Sequence, residues 1–402
     1  MTAPQLLGYI GWAALIQLVL WGALGVWLSR RRRLHPALPD AAPLVGWRPF
    51  RVVRRVLEDP EGSQCSFYLA PLDGEPLPDF RPGQFLTVSV SVAGEGRPVV
   101  RCYSLSSRPD PGEFRITVKR ALSPPTRPDL PPGLCSGHLH DHVQVGDILG
   151  VRGPSGAFCL DPDPDLPVML IAGGVGITPM VSMLGWLAQA TPQRRVHLVQ
   201  AVQNGAVHAF RSELEAVFRS CPAFHQTVVY ARPMAGDVLG RDYDRDGYVD
   251  LALLQPILDG LGRCAVYVCG PAPMMEALVP ALRLAGVAEA DLHHEAFGPA
   301  SVPRPAGLSS EVPVHGGLDL PVRFLRSGRT LDWSGEAGSL LDFAESNGVA
   351  IDSGCRAGQC GSCETRLVSG EVRNLQTPVW EVAPGYCLPC ICTPVTAVEL
   401  DA

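Results

Sequence analysis

The stretch Val168-Met-Leu-Ile-Ala-Gly-Gly-Val-Gly-Ile-Thr-Pro-Met180 decides how the chain folds. A short, wholly apolar run marks a strand buried on both faces, the glycines after it let the backbone approach a pyrophosphate, and a helix opens where they end. The spacing is G-x-G-x-x-P where G-x-G-x-x-G is usual. The same texture returns at Val196-His-Leu-Val199, ahead of a helical stretch around Glu213, and at Ala265-Val-Tyr-Val-Cys269, ahead of a helix starting near Ala272. Strand, turn and helix repeated in this way predict an α/β unit with a parallel, doubly wound sheet.

Upstream, from Phe50 to about Leu160, Pro and Gly break the chain at short, regular intervals, which predicts a small antiparallel β-barrel. Its clearest strands are Phe85-Leu-Thr-Val-Ser-Val-Ser-Val92 and Phe114-Arg-Ile-Thr-Val-Lys119, which alternate and carry β-branched residues. Downstream, residues 300–318 are rich in Pro, Gly and Ser and read as a linker. Beyond it, two alternating runs about Ser327-Gly328 form a hairpin signal within Val322 to Trp333, which opens the last unit. No internal repeat is visible.

Within this last unit lies Cys355-Arg-Ala-Gly-Gln-Cys360-Gly-Ser-Cys363, and C-x4-C-x2-C with a distant fourth cysteine is the plant-type [2Fe-2S] spacing. A thiolate-bound cluster is anionic, so the small residues Ala357, Gly358, Gly361 and Ser362 let backbone N–H groups reach the sulfurs. Structural zinc is the alternative, but it usually takes two paired C-x2-C knuckles or a Cys/His mixture, and this loop supplies one such pair. The fourth ligand comes from Cys387, Cys390 or Cys392.

At Arg101-Cys-Tyr-Ser-Leu-Ser-Ser107 the chain resembles the R-x-Y-S flavin motif of the ferredoxin-NADP reductase superfamily. The resemblance implies that Arg101 pairs with a flavin phosphate and that Tyr103 packs against the isoalloxazine or the ribityl chain. It gives Ser104 a catalytic place, hydrogen-bonded near the hydride-accepting nitrogen. The residue types suit these roles, since an Arg fork fits a phosphate and a Tyr offers an aromatic face with a polar tip. Val118 and Lys119, closing their strand, are assigned to the cofactor as well. The run from Gly133 to Asp147 resembles the phosphate-binding turn and helix of flavohaemoglobin-type reductases, which implies that Gly133, Leu134, Cys135 and Ser136 lie over the flavin pyrophosphate. His138, His140 and His142 follow at alternating positions on that helix and point in different directions, so they read as surface and cap residues rather than metal ligands.

The glycine stretch has the form that this superfamily carries, which implies that Gly173, Gly174, Gly176, Thr178 and Pro179 contact the nicotinamide nucleotide. Cys269-Gly-Pro-Ala-Pro-Met-Met275 resembles its second nicotinamide-side motif, which implies a catalytic Cys269 close to the reacting carbon, with Gly270 and Pro271 beside it. A buried structural cysteine is the competing reading of Cys269. His294-Glu-Ala-Phe-Gly-Pro299 resembles the segment that closes the reductase unit, with Phe297 near the flavin. The run Gly385-Tyr-Cys-Leu-Pro-Cys-Ile-Cys-Thr-Pro394 resembles the plant-type ferredoxin segment, and its register selects Cys390 to complete the set Cys355, Cys360 and Cys363.

These resemblances imply a flavin-binding barrel over 48–162, an NAD(P)-binding unit over 163–299 and a ferredoxin unit of α+β β-grasp type over 319–402. They match reductases with a C-terminal plant-type ferredoxin that serve oxygenases, desaturases and related enzymes. The implied cofactors are FAD, favoured over FMN by the phosphate turn, together with NADH or NADPH and a [2Fe-2S] cluster. After the second strand, residues 201–210 hold no arginine for a 2′-phosphate, whereas Arg232 follows a later strand.

The 402 residues carry 33 Lys plus Arg against 40 Asp plus Glu, a net charge of −7 that gives no nucleic-acid footprint. Residues 6–28 hold no charge and at about 1.5 Å per residue span a bilayer core of roughly 30 Å. Arg30, Arg31, Arg32 and Arg33 follow that run. A signal peptide carries its positive charge ahead of the apolar run, so residues 1–33 read as an uncleaved transmembrane anchor, with 34–47 as linker. The arginines orient it with the N-terminus out and the rest in the cytoplasm, at the inner membrane. The expected partner is a membrane-associated electron acceptor: a hydroxylase, a desaturase, an oxygenase or a haem protein. A membrane-bound redox sensor without bulk electron transfer is the alternative function, and a zinc-stabilised diaphorase a third.

Overall fold

The structure is a computed structural model that describes residues 44–110, 112–123, 128–129, 131–297, 320–335 and 337–402. Six strands form the first sheet: β1 (Leu44–Leu57), β2 (Gln64–Pro71), β3 (Phe85–Val90), β4 (Val99–Ser104), β5 (Phe114–Lys119) and β6 (Ile148–Ser155). Their order is β4-β3-β6-β1-β2-β5 and every pairing is antiparallel. The two edge strands meet through a single bridge, Leu105↔Ile116. The expected barrel is therefore a curled half-barrel: the edges touch at one point without a ladder to seal them. Phe114, Ile116 and Val118 point from β5 into its core, with Phe50, Phe67, Leu86 and, from the helix Leu134–Asp141, Leu139. The opposite face of β5 is buried too, because Arg115 leaves the sheet to pair with Glu213 of the next unit, 2.7 Å away.

The second sheet contains β7 (Val168–Gly173), β8 (Val196–Val202), β9 (Phe224–Tyr230), β10 (Arg245–Asp246), β11 (Ala265–Gly270) and β12 (Leu292–Ala296). Its order is β10-β9-β8-β7-β11-β12, parallel throughout. Helices Ile177–Ala190 and Arg211–Ser220 cover one face, and Leu251–Leu261 and Ala272–Leu284 the other, so every residue of β7 and β11 is buried. The strand order reverses between β7 and β11, and in such sheets ligands bind beyond the carboxyl ends at that reversal.

The third unit has β13 (Leu320–Phe324), β14 (Arg329–Trp333), β15 (Thr365–Ser369), β16 (Val372–Asn374), β17 (Tyr386–Cys387), β18 (Cys392–Pro394) and β19 (Val398–Leu400). Five of them form a mixed sheet, β14-β13-β19-β15-β17, and β16 pairs with β18. The hairpin expected about Ser327-Gly328 is β13–β14, and Gly328 takes the positive φ of 66° that its turn needs. Ser339 caps the helix Leu340–Ser346 by accepting from the Asp342 N–H, and Leu340, Leu341 and Ala344 bury its inner face.

Among the described residues no helix is long and apolar enough to cross a membrane. The apolar run at 6–28, the arginines at 30–33 and the linker at 300–318 lie outside the described residues.

Candidate active site

Strand β4 carries Arg101, Tyr103 and Ser104. Arg101 is exposed, and among the described residues its guanidinium donates to the carbonyl of Val100 and forms no ion pair, which leaves its charge for an anion. The Tyr103 hydroxyl donates to Cys135 Sγ at 3.4 Å and so ties β4 to the first turn of the helix Leu134–Asp141. Burial, then Cys135, pushes the Tyr103 phenol well up. No side chain caps that helix, so its first N–H groups stay open to a phosphate. A Cβ on Gly133 would meet Ala121 Cβ and Ser136 Oγ at 2.7 Å each, so only glycine fits at its mouth. The Ser136 hydroxyl is turned inward, donating to the Gly133 carbonyl and accepting from Ala121 N–H, while Leu134 is exposed.

One expectation changes here. His140 is buried rather than at the surface, its Nε2 2.9 Å from the Val118 carbonyl, and burial lowers its pKa. The helix turns this ring inward beside Leu139, whereas His138 and His142 lie ring to ring at 5.0 Å. Val118 packs its side chain in the core with its carbonyl engaged by His140, so of the pair Val118 and Lys119 only Lys119 is exposed. Lys119 Nζ stands 3.9 Å from where a Cβ on Gly174 would be, beside the glycine turn of the next unit.

That turn packs against the start of the helix Ala272–Leu284. A Cβ on Gly173 would meet Met274 Sδ at 2.5 Å, and one on Gly176 would meet the Cys269 carbonyl at 2.2 Å. Gly270 and Pro271 thus share one cradle with Gly173, Gly174 and Gly176. Thr178 and Pro179 are buried, and the Thr178 hydroxyl donates to the Val175 carbonyl, so both serve the turn itself. Cys269 is fully buried, and burial, then Glu295, pushes its thiol well up. Phe297 is exposed just after β12.

Glu295 is the site residue that sequence reasoning passed over, although it lies in the quoted stretch before Phe297. It pairs in register with Cys269 across β11 and β12, and its carboxyl is enclosed even though the residue keeps some surface. Burial raises its pKa to about 8, opposed by the Ser104 hydroxyl that it faces. The two groups interact without an ordinary hydrogen bond, and Ser104 Oγ and Glu295 Oε2 both remain buried and unsatisfied. A carboxyl within the short strand that closes the parallel sheet was the available signal.

In the third unit the Cys363 and Cys390 sulfurs are 3.2 Å apart. Cys355 Sγ accepts from the N–H groups of Ala357 and Gln359 at 3.4 and 3.3 Å, and Cys360 Sγ accepts from Cys355 N–H at 3.3 Å. The neighbouring Cys102 and then Cys355 hold the Cys360 thiol far below its usual range, and a Cβ on Gly354 would stand 3.0 Å from both the Cys102 and the Cys360 sulfur. Positive φ at Arg356, Gly358 and Gly361 turns these N–H groups inward, and a Cβ on Gly361 would strike Trp380 at 2.2 Å. Cys392 instead faces Cys387 in the core. Among the described residues no three or more such side chains gather about a single ion. Paired sulfurs fit a binuclear cluster, in which two irons share four thiolates.

The cluster loop rests on the half-barrel. Arg152 of β6 donates to the Cys360 carbonyl at 2.8 Å and to Ser362 Oγ at 3.0 Å, with its guanidinium over Trp47 and Trp380. Arg97 pairs with Asp352 at 3.0 Å.

An anion site on a half-barrel, a glycine cradle at the reversal of a parallel sheet and paired thiolates define an NAD(P)H-dependent flavin oxidoreductase with an iron-sulfur centre. Residues 73–159 match the oxidoreductase FAD-binding domain, 170–279 the oxidoreductase NAD-binding domain and 323–395 the 2Fe-2S iron-sulfur cluster binding domain. A flavohemoprotein of Bordetella pertussis is 41% identical over 278 residues, 68% of this chain and 67% of that protein. The flavohem-like FAD/NAD binding domain of nitric oxide dioxygenase from Vibrio cholerae O1 biovar El Tor is 34% identical with a TM-score of 0.55, covering 63% of this chain and 100% of that one. Phthalate dioxygenase reductase shares the fold, with a TM-score of 0.52 at 24% identity over 89% of this chain and 98% of that one. The chain belongs to the ferredoxin-NADP reductase family, as an electron-transfer reductase with a [2Fe-2S] domain, and its cofactors are FAD, NAD(P)H and the cluster.

Proposed function

We propose that this chain takes hydride from NAD(P)H and delivers single electrons to an acceptor protein held at the same membrane, a hydroxylase, desaturase, oxygenase or haem protein. The observation that carries the reading is the seat of the cluster loop on the half-barrel: Arg152 grips the Cys360 carbonyl and Ser362, and the sulfurs of Cys102, in the flavin motif, and Cys360 converge beside Gly354. The flavin motif and the cluster loop are thereby adjacent. FAD, when bound, accepts one hydride, which carries two electrons, and releases them singly, which nicotinamide does not readily do.

In this reading Arg101 and the open helix N-terminus at Gly133 bind the flavin phosphates, and Lys119 stands between them and the nucleotide turn. Ser104 and Glu295 present a neutral pair to the hydride site, since a carboxyl raised to about 8 keeps its proton at neutral pH. Cys355, Cys360, Cys363 and Cys390 hold the two irons. The run at 6–28 anchors the chain in the inner membrane, with the arginines at 30–33 and all catalytic units on the cytoplasmic side.

Steady NAD(P)H-driven reduction of cytochrome c by the purified reductase tests the proposal against the redox-sensor alternative. Cys363→Ser should lose that activity while keeping its reduction of ferricyanide. A wild-type protein that holds flavin and cluster yet reduces neither acceptor would be a sensor.

A further inference from the structure

Cys102 stands inside the flavin motif, yet neither the flavin nor the cluster ligand set has a use for it. Successive side chains of a strand point to opposite faces, so Cys102 leaves β4 on the side away from Arg101 and Tyr103. That side carries the cluster loop. A Cβ on Gly354 would stand 3.0 Å from each of Cys102 Sγ, Cys360 Sγ and Ser362 Oγ, so three polar atoms converge on one gap that only glycine leaves open. Thr87 Oγ1 of β3 lies 3.6 Å from Cys102 Sγ and supports the thiol from behind. Arg152 fixes the other wall by its bonds to the Cys360 carbonyl and to Ser362 Oγ.

We propose that Cys102 donates its S–H to the Cys360 sulfur and thereby sets the reduction potential of the cluster from the flavin-binding strand. This rests on the reading of Cys360 as an iron ligand. A donor to a cluster thiolate stabilises the reduced, more negative state more than the oxidised one, and so raises the potential. Cys102 touches neither nucleotide nor iron; it is a positioning residue that acts through Cys360. Covalent continuity with Arg101 and Tyr103 places this control in the same strand that carries the flavin contacts, so a shift of β4 moves the donor relative to the cluster.

The test is redox titration of the full-length holoprotein, following the cluster by electron paramagnetic resonance and the flavin by absorbance, in wild type, Cys102→Ala and Cys102→Ser. Cys102→Ala should lower the cluster potential and leave that of the flavin unchanged, moving the equilibrium about tenfold toward reduced flavin, or roughly 59 mV for one electron. Cys102→Ser, which keeps a donor, should fall between. Equal cluster potentials in all three overturn the proposal. If Cys102→Ala fails to assemble a cluster, the infrared difference between wild type and Cys102→Ser isolates the Cys102 S–H stretch; a hydrogen-bonded frequency supports the proposal and a free-thiol frequency overturns it. Failure of the underlying reading shows separately, as a cluster retained in Cys360→Ser.

Discussion

The Glu295 carboxyl, near the end of β12, faces the Ser104 hydroxyl at the end of β4, so the nucleotide sheet and the half-barrel meet at two buried polar groups. With the carboxyl raised to about 8, the folded chain keeps a proton that the unfolded chain loses as pH rises through the ordinary carboxylate range. Stability from this group therefore falls between that range and about 8, and is level on either side. Glu295→Gln stays neutral and should gain stability relative to wild type across the window, by roughly 1.4 kcal/mol per pH unit at most. Thermal melts over that range check it, and parallel profiles for the two proteins would remove the assignment.

Arg101→Ala should bind flavin roughly ten- to a hundredfold more weakly, because a charge-assisted pair to phosphate is typically worth about 1.5 to 3 kcal/mol. Titrating the flavin-free variant with FAD by fluorescence measures this. Unchanged affinity would mean that the exposed guanidinium never meets the phosphate.

Replacing Cys355, Cys360, Cys363 or Cys390 by Ser should bleach the cluster absorption and leave flavin bound. Cys392→Ser should keep the cluster, since its sulfur faces Cys387. Iron content and visible spectra decide this, and the reverse pattern at 390 and 392 would reassign the fourth ligand.

The Arg232 N–H donates to the Gln203 carbonyl, which brings this exposed residue beside the segment following β8, where the adenosine end of a dinucleotide binds. Arg232→Ala should raise KM for NADPH several-fold more than KM for NADH. Equal changes with the two nucleotides would show that Arg232 does not read the 2′-phosphate.

Deleting residues 1–40 should give a protein that reduces ferricyanide at a near-native rate and supplies its partner less well in cells. Confinement to one membrane raises effective concentration as a linker does. Equal supply at equal abundance would set aside a membrane-held partner.

By itself the sequence determined the pieces whose information is local. The period of the strands, the glycine turn after β7, the hairpin at Gly328 and the spacing of Cys355, Cys360 and Cys363 each sit within a few residues, where backbone geometry leaves few alternatives. The meetings of distant strands were decided by tertiary structure alone. Edge strands that touch at Leu105↔Ile116 make a half-barrel instead of a barrel, and helix packing buries His140 among neighbours no spacing rule names. Ser104 faces Glu295, and the Cys102 and Cys360 sulfurs converge beside Gly354, only because sheet order and domain docking bring the ends of separate units together. Such pairs carry no periodic signal in the chain, since their cost and benefit arise when water is excluded between them.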